Sequence, residues 1–309
     1  MNRGTRATFL GLDEKEEGPW DVVILPIPFE MTTSWVEGTE RGPAACIEAS
    51  SQVELYDPLL PEELPCGLSF HTSSPWSSEA GTLMEQLNSI TEFISEWIDN
   101  GFPLVLGGEH GILPPIMEEM KKHPRLNGDL SNLTLVQIDA HADLRDAYMG
   151  FRCSHASIMA RVLEHVGVHR LVGVGYRDVG HAEWEKISSS PGRIRAYTDP
   201  DIADRMARGI SWQAIVDEIV IDLPQVVHIS FDIDGLDPSL CPNTGTPVPG
   251  GLRYREAQIL LRAVSKHRQV VSFDLCEVSP RDNDEWDANV GARLLYKLSG
   301  CALSSRSRQ

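Results

Sequence analysis

The chain has 309 residues, of which 41% are hydrophobic, and its formal net charge at pH 7 is −18. This length and apolar content allow a large buried core, and the negative charge argues against nucleic acid or an anionic membrane as a partner while it attracts a cationic substrate. No apolar run reaches the roughly 18 residues that span a bilayer and no secretory signal leads the sequence, so we expect a cytoplasmic protein.

Short apolar runs alternate with segments of helical periodicity along the chain. Strand-like runs lie at residues 21–27, 103–107, 133–139, 170–175, 226–232 and 270–274, and helix-like segments lie at 83–98, 158–166, 212–220 and 256–266. This alternation predicts βαβ units and a mainly parallel sheet. No stretch between the runs has the composition of a linker, so we expect one domain over residues 1–309 with a core at about 20–300.

Acidic side chains follow two of the predicted strands where each strand ends. The run D-A-H-A-D at residues 139–143 ends one strand, and D-I-D at 232–234 ends another. Alternate side chains on extended backbone share a face and can converge, and ligands of open α/β sheets bind at the carboxyl ends of strands. Four carboxylates crowded together repel one another, and divalent cations relieve that repulsion. Carboxylates mixed with imidazole suit Mn²⁺ and related ions.

A third strand-like run leads into G-G-E-H-G at residues 107–111, which places a histidine at the same edge of the sheet. Alone, this histidine would more often be structural, but its position beside the acidic runs favours a ligand role. The six candidate metal ligands are His110, Asp139, His141, Asp143, Asp232 and Asp234. Four carboxylates neutralise two divalent ions, which is the composition of a two-metal hydrolase.

Taken in order, these segments resemble the motifs of the ureohydrolase family of arginases and agmatinases. The family pattern is G-G-[DE]-H, D-A-H-x-D, S-F-D-x-D-x-x-D-P, G-T-P-x-x-G-G and E-V-[SN]-P. The matching segments lie at 107–110, 139–143, 230–238, 245–251 and 277–280, within a similarity that extends over about residues 21–298. One D-x-H-x-D motif would be a weak signal, whereas five ordered motifs are specific. The resemblance implies a three-layer α-β-α fold with a mainly parallel central sheet.

The resemblance also implies how the ligands divide between two Mn²⁺ ions per chain. The bridging ligands would be Asp139 and Asp232, with His110 and Asp143 completing one ion and His141 and Asp234 the other. A hydroxide held between the ions would attack the guanidinium carbon of the substrate, and urea would leave.

Two catalytic residues outside the ligand set are implied by the same family pattern. Taken alone, His155 is as consistent with a surface histidine as with a catalytic one. The family places a proton shuttle at this position. Cys153 beside it suggests a Cys–His nucleophile, for which no orienting third group is evident. Glu277 is consistent with a structural ion pair, but the family uses it to hold the guanidinium by charge-assisted hydrogen bonds.

The substrate is predicted from two departures from the arginase pattern. Arg145 stands where arginases place an asparagine that binds the α-carboxylate, and Gly180 replaces the second acid of the run R-D-V-D, in which Asp178 is the first. Both departures argue against L-arginine as the substrate and favour agmatine. Arg145 and Asp178 are the candidate substrate contacts. We therefore predict hydrolysis of agmatine to putrescine and urea, a step of polyamine biosynthesis. Guanidinobutyrate, guanidinopropionate, aminopropylagmatine, L-arginine and formimidoylglutamate remain alternatives, because Arg145 could instead bind a substrate carboxylate.

Two other enzyme classes are disfavoured by missing motifs. A deacetylase of the related fold would show an adjacent His-His pair, and a dinuclear phosphoesterase would show G-D-x-x-D and G-N-H-[DE]; this sequence has none of these. The partner we expect is a small cationic guanidino substrate, with no nucleic acid or membrane. The resemblance further implies a homo-oligomer, either a trimer or a hexamer.

Overall fold

The computed structural model describes residues 7–60 and 67–306. Within these residues, eight strands form one sheet in the order β2-β1-β3-β8-β7-β4-β5-β6, and every pairing is parallel. The strands are β1 (Val22–Ile27), β2 (Phe70–Thr72), β3 (Phe102–Gly107), β4 (Leu133–Ile138), β5 (Arg170–Val174), β6 (Ile194–Tyr197), β7 (Val226–Asp232) and β8 (Gln269–Cys276).

Helices cover both faces of the sheet. They are α1 (Gly42–Ser50), α2 (Leu83–Ser95), α3 (Leu113–Met120), α4 (Ile158–Arg161), α5 (His181–Ser189), α6 (Asp199–Ala207), α7 (Trp212–Asp222), α8 (Tyr254–His267) and α9 (Trp286–Arg306). Alternate side chains of β1 enter different cores: Val22 and Ile24 pack with α1 and α7–α9, whereas Val23 and Leu25 pack with α2–α4. This arrangement confirms the predicted three-layer α-β-α fold. Each described helix is too short or too polar to cross a bilayer.

The predicted strands are all present, and the two that the sequence did not predict lie at the sheet edges. The edge strands β2 and β6 have only three and four residues, and each keeps partly exposed positions. The helix predicted at 83–98 begins at a capping box formed by Thr82 and Glu85, and it ends earlier, at Ser95. The helix predicted at 158–166 is α4 followed by a π-helical turn that ends before Gly167, a glycine with a φ of 89°.

The topology brings four strand ends together at the centre of the sheet. The chain passes from β3 to β4, and β8 and β7 later fill the space between them. The central strands are therefore β3, β8, β7 and β4, and their carboxyl ends adjoin. Such a change of direction in strand order is where open α/β sheets bind ligands.

Candidate metal centre and active site

Six buried or half-buried side chains meet at the carboxyl ends of the central strands. We call them the strand-end cluster, and they are His110, Asp139, His141, Asp143, Asp232 and Asp234. These are the six residues predicted as metal ligands. The four aspartates and His110 are buried, and His141 is half-buried.

His110 faces three carboxylates through one ring nitrogen. Its Nδ1 lies 3.3 Å from Asp139 Oδ2 and 3.4 Å from the Oδ2 atoms of Asp143 and Asp232. This atom is buried and has no hydrogen-bond partner among the described residues. Three acceptor oxygens therefore converge on a nitrogen that makes no hydrogen bond.

The opposite nitrogen of His110 explains this orientation. Nε2 lies 2.7 Å from Ser230 Oγ, and the Ser230 hydroxyl donates to Asp274 Oδ1 at 3.0 Å. Because that donation uses the only hydroxyl hydrogen, Ser230 must accept from Nε2–H. In the neutral ring that metal binding requires, the Nδ1 lone pair then points at the carboxylates. A lone pair among anionic oxygens is repelled unless a cation lies between them. The donor set therefore fits a divalent metal ion.

A second group of donors shares Asp139 with the first. His141 Nδ1 lies 3.0 Å from Asp234 Oδ2 and 3.5 Å from Asp139 Oδ1. The two oxygens of Asp139 thus reach different histidines, as expected of a carboxylate between two ions. Asp232 Oδ2 faces His110, but its Oδ1 accepts the backbone N–H of Asp234 at 2.8 Å. The bridging role of Asp232 stays a prediction.

The cluster is electrostatically crowded. Burial, followed by the charges of Asp234 and Asp139, raises the pKa of the Asp232 carboxyl well above its ordinary value. Gln137 relieves part of the crowding, because its Nε2 donates to Asp139 Oδ2 at 2.8 Å and its Oε1 accepts from Tyr176. This support orients the carboxylate from behind, an arrangement typical of residues that back metal ligands.

His155 lies beside the cluster and is held by a loop from the other half of the chain. Its Nδ1 is 3.3 Å from Thr32 Oγ1, its Nε2 is 3.3 Å from Ser34 Oγ, and its backbone N–H donates to Thr32 Oγ1 at 3.0 Å. The Tyr148 ring meets the imidazole edge-on, with centroids 6.1 Å apart. Burial, together with His141 and His110, lowers the pKa of His155 to about 4, so the ring is neutral at pH 7.

Glu277 follows β8 in a backbone conformation that most side chains avoid. Its φ is 66°, and such strain recurs at functional sites. Oε1 accepts the backbone N–H of His110 at 2.7 Å, and Oε2 has no hydrogen bond within the described residues. A Cβ added at Gly245 would lie 3.2 Å from Oε2, so this glycine of the run G-T-P-V-P-G-G keeps space beside the carboxylate. Burial raises the pKa of Glu277, and a bound guanidinium would oppose that shift.

A pocket of about 310 Å³ opens over the cluster. Its wall includes His155, Glu277 and four exposed or half-buried residues that we call the pocket rim: Trp35, Arg145, Tyr148 and Asp178. The two predicted substrate contacts, Arg145 and Asp178, thus lie at the same opening as the predicted catalytic residues. A larger cavity near Trp20 and Arg125 lies at the amino ends of β1, β3 and β8, away from the strand-end cluster.

The two charged rim residues differ in their contacts. The Arg145 guanidinium lies over the Tyr148 ring, 5.0 Å from its centroid, and Arg145 Nε is 3.8 Å from Glu183 Oε2. The Asp178 carboxylate is exposed and has no hydrogen bond or ion pair with the described residues. The cationic side chain is therefore partly engaged within the rim, whereas the anionic one is available to a ligand.

Sequence reasoning assigned no role to Glu109, Thr32 or Ser34. Glu109 is a charged residue two positions after the end of a buried strand, a signal similar to the one that identifies the aspartates. Thr32 and Ser34 belong to a polar run without any distinguishing pattern. Only the folded chain places these hydroxyls against His155.

A model of the arginase family matches residues 20–300. The N(1)-aminopropylagmatine ureohydrolase of Synechocystis sp. is 34% identical over 290 residues, which cover 90% of this chain and 88% of the relative. The chain belongs to the arginase family. The family predicted from the five motifs is therefore confirmed.

Two further comparisons agree with this membership of the arginase family. The agmatinase of Bacillus anthracis is 31% identical over 264 residues, which cover 84% of each chain. The structure of the proclavaminate amidino hydrolase from Streptomyces clavuligerus has a TM-score of 0.83, covers 98% of both chains and is 22% identical, so it shows the fold alone. The chain is a ureohydrolase of this family, a dinuclear metal-dependent amidinohydrolase, as predicted.

Proposed function

We propose that this ureohydrolase converts agmatine to putrescine and urea. One observation carries the choice: beside the strand-end cluster, the pocket holds two further carboxylates in different settings, the buried Glu277 and the exposed Asp178. Agmatine has two cationic ends, a guanidinium and an ammonium. The guanidinium would bind Glu277 beside the cluster, and the ammonium would bind Asp178 at the pocket rim.

We propose the strand-end cluster as the site of two Mn²⁺ ions. The ligands would be His110, Asp139, His141, Asp143, Asp232 and Asp234. Carboxylate oxygens with imidazole nitrogens are a donor set that suits Mn²⁺. When bound, two such ions neutralise the carboxylates and lower the pKa of water so that it becomes a nucleophile at neutral pH.

The remaining residues would bind the substrate and move protons. Glu277 Oε2 accepts hydrogen bonds from the guanidinium and fixes its orientation over the cluster. His155, neutral and within the pocket wall, exchanges protons between the departing amine and solvent. L-Arginine would bring a carboxylate to the rim, where the exposed Asp178 repels it.

A second candidate substrate is N(1)-aminopropylagmatine. The relative from Synechocystis, which carries that name, is more similar to this chain than the agmatinase of Bacillus anthracis. Trp35 supports an extended cationic tail, because 79% of this side chain is exposed at the pocket and its face can pack on methylenes and attract an ammonium. An aminopropyl extension adds one more cation to the same rim.

A urea-release assay on the Mn²⁺-loaded protein tests this function. We expect agmatine or N(1)-aminopropylagmatine to exceed L-arginine by at least about tenfold in kcat/KM, because an unpaired carboxylate at the rim is costly to desolvate. Guanidinobutyrate completes the panel. The Asp232→Asn variant, assayed in parallel, controls for contaminating enzymes. Preference for L-arginine or for guanidinobutyrate in the wild type would overturn the proposed substrate.

We propose in addition that the chain acts in the cytoplasm as a homo-oligomer, a trimer or a hexamer, and that residues 1–309 form one domain. The resemblance of the motifs to arginases and agmatinases supports this assembly. Size-exclusion chromatography with light scattering measures it directly, and a monomeric mass would contradict it.

A further inference from the structure

We propose that Glu109 is a positioning residue that fixes, through Thr32, which ring nitrogen of His155 carries the proton. The inference deepens the proposed function, because it rests on the role of His155 in proton transfer. Neither Glu109 nor Thr32 belongs to the strand-end cluster.

Glu109 is fully buried, and donors from three consecutive residues surround its carboxylate. Oε2 accepts the backbone N–H groups of Met31 at 2.8 Å and Thr32 at 2.6 Å, and Oε1 accepts the Thr32 hydroxyl at 2.6 Å. The Thr33 hydroxyl adds a longer contact at 3.3 Å. A Cβ at Gly111 would lie 2.6 Å from Oε1, so the last glycine of G-G-E-H-G makes room for this carboxylate. The structure thus holds a loop by one buried side chain.

The hydrogen count at Thr32 determines the tautomer of His155. Burial raises the pKa of Glu109, but two backbone N–H groups and two hydroxyls point at its oxygens and leave them only as acceptors. The Thr32 hydroxyl therefore donates its single hydrogen to Glu109. The same Thr32 oxygen accepts the backbone N–H of His155 at 3.0 Å and lies 3.3 Å from Nδ1. It can only accept from Nδ1, and the neutral ring therefore carries its proton there.

Nε2 is left as the nitrogen that can receive a proton. It lies 3.3 Å from Ser34 Oγ, and both Ser34 and His155 belong to the pocket wall. A carboxylate that holds a histidine in one tautomer is a recurring device of hydrolases. Here a threonine hydroxyl stands between the carboxylate and the ring.

The Glu109→Gln variant should reverse the tautomer. Two backbone N–H groups, at 2.8 and 2.6 Å, point at the Oε2 position and require an oxygen there. The amide NH₂ must then take the position facing Thr32, whose hydroxyl turns and donates to Nδ1 of His155. The proton moves to Nε2, and the free lone pair no longer faces the pocket. Thr32→Val removes the hydroxyl and should abolish the preference, whereas Thr32→Ser should retain it.

The decisive measurement is ¹⁵N NMR of histidine-labelled enzyme loaded with Zn²⁺, a diamagnetic ion. Signals of His155 are assigned from their loss in His155→Gln. Protonated and unprotonated imidazole nitrogens are readily distinguished, so the spectrum reports the tautomer without any substrate. We expect Nδ1–H in the wild type and in Thr32→Ser, and Nε2–H in Glu109→Gln. A wild-type Nε2–H tautomer, or an unchanged tautomer in Glu109→Gln, would overturn the proposal.

Kinetics supply a second test with a matched control. Glu109→Gln and Thr32→Val should lower kcat by about tenfold, a fraction of what general acid–base catalysis contributes, with little change in KM or bound metal. The control is Glu30→Gln: Glu30 accepts the backbone N–H groups of Gly38 and Glu40 in the same loop, and among the described residues its carboxylate has no hydrogen bond with Thr32. It should keep the wild-type tautomer and kcat, and a loss equal to that of Glu109→Gln would overturn the proposal.

Different outcomes overturn the proposed function and the hydrogen-bond relay that leads from Glu109 through Thr32 to His155. A wild type that hydrolyses no guanidino compound would overturn the proposed function, while a tautomer reversal in Glu109→Gln would still support the relay from Glu109 to His155. Normal hydrolysis with an unchanged tautomer would overturn the relay alone.

Discussion

The strand-end cluster and the pocket rim form one opening but are built differently. The cluster stands at the carboxyl ends of adjoining parallel strands, and its aspartates are buried. The rim stands on loops, and its side chains are exposed or half-buried, with Trp35 exposed by 79%. Strands packed on both faces hold ligands with little freedom, whereas loops tolerate substitution. The contrast suggests that the cluster sets the reaction and the rim sets the substrate.

The same contrast orders the effects of substitutions. Charges in the cluster are shielded from water and interact strongly, so the loss of one should be severe. Charges at the rim are screened by solvent, so each contributes less.

The largest effect is expected for Asp232→Asn in the cluster. The change removes a charged donor that lies 3.4 Å from His110 Nδ1, and we expect turnover to be abolished and metal affinity to fall by about 100-fold or more. Metal analysis after Mn²⁺ loading should give about two ions per wild-type chain and fewer in the variant. Chelation should remove wild-type activity, and Mn²⁺ should restore it. Full activity after exhaustive chelation would contradict a metal centre.

Glu277→Gln should have the next largest effect. It keeps an acceptor for the backbone N–H of His110 but removes the charge that binds a guanidinium, so we expect a loss of about 30-fold or more in kcat/KM. Bound metal should be unchanged, which separates this residue from the cluster. Wild-type kinetics on the best guanidino substrate would show that the contact does not exist.

At the rim, Asp178→Asn should lower kcat/KM for agmatine by about threefold to fivefold. The effect should vanish with butylguanidine, which has no second cation and serves as the matched substrate. Arg145→Ala tests the opposite charge: it should lower kcat/KM for guanidinobutyrate, whose carboxylate Arg145 can bind, and it should not lower kcat/KM for agmatine. Equal losses for agmatine and butylguanidine in Asp178→Asn would indicate a structural role.

The last prediction concerns the stability of the fold and not turnover, and it is made for His155, which lies between the two regions. Because the folded protein lowers the pKa of this ring from 6.5 to about 4, the unfolded chain binds more protons between these values. The wild type should therefore lose stability relative to His155→Gln as the pH falls through that window, and the difference should level off below it. Denaturant titrations across the window measure this difference. A wild type that gains stability relative to His155→Gln on acidification would show that the ring is not held neutral.

Local patterns in the sequence were sufficient for the core of the fold and for the family. An apolar run that ends in charge predicts a buried strand with functional side chains at its tip, and this pattern identified the central strands β3, β4, β7 and β8. The periodicity of alternate residues brought each pair of acids together. The sequence pattern did not predict the edge strands β2 and β6, because short strands with partly exposed positions contain too few apolar residues in alternation.

Contacts between distant segments were decided only by the tertiary structure. Thr32 meets Glu109 across 77 residues and His155 across 123, and no local pattern of threonine or serine predicts such partners. The sequence likewise did not predict that Arg145 lies over Tyr148, or that the Asp178 carboxylate is exposed at the pocket. Periodicity and strand ends follow from neighbouring residues, so the sequence alone determined the fold class, the family and the candidate ligands. Hydrogen-bond partners depend on where the fold carries each loop, so the relay to His155 and the charges of the pocket rim required the folded chain.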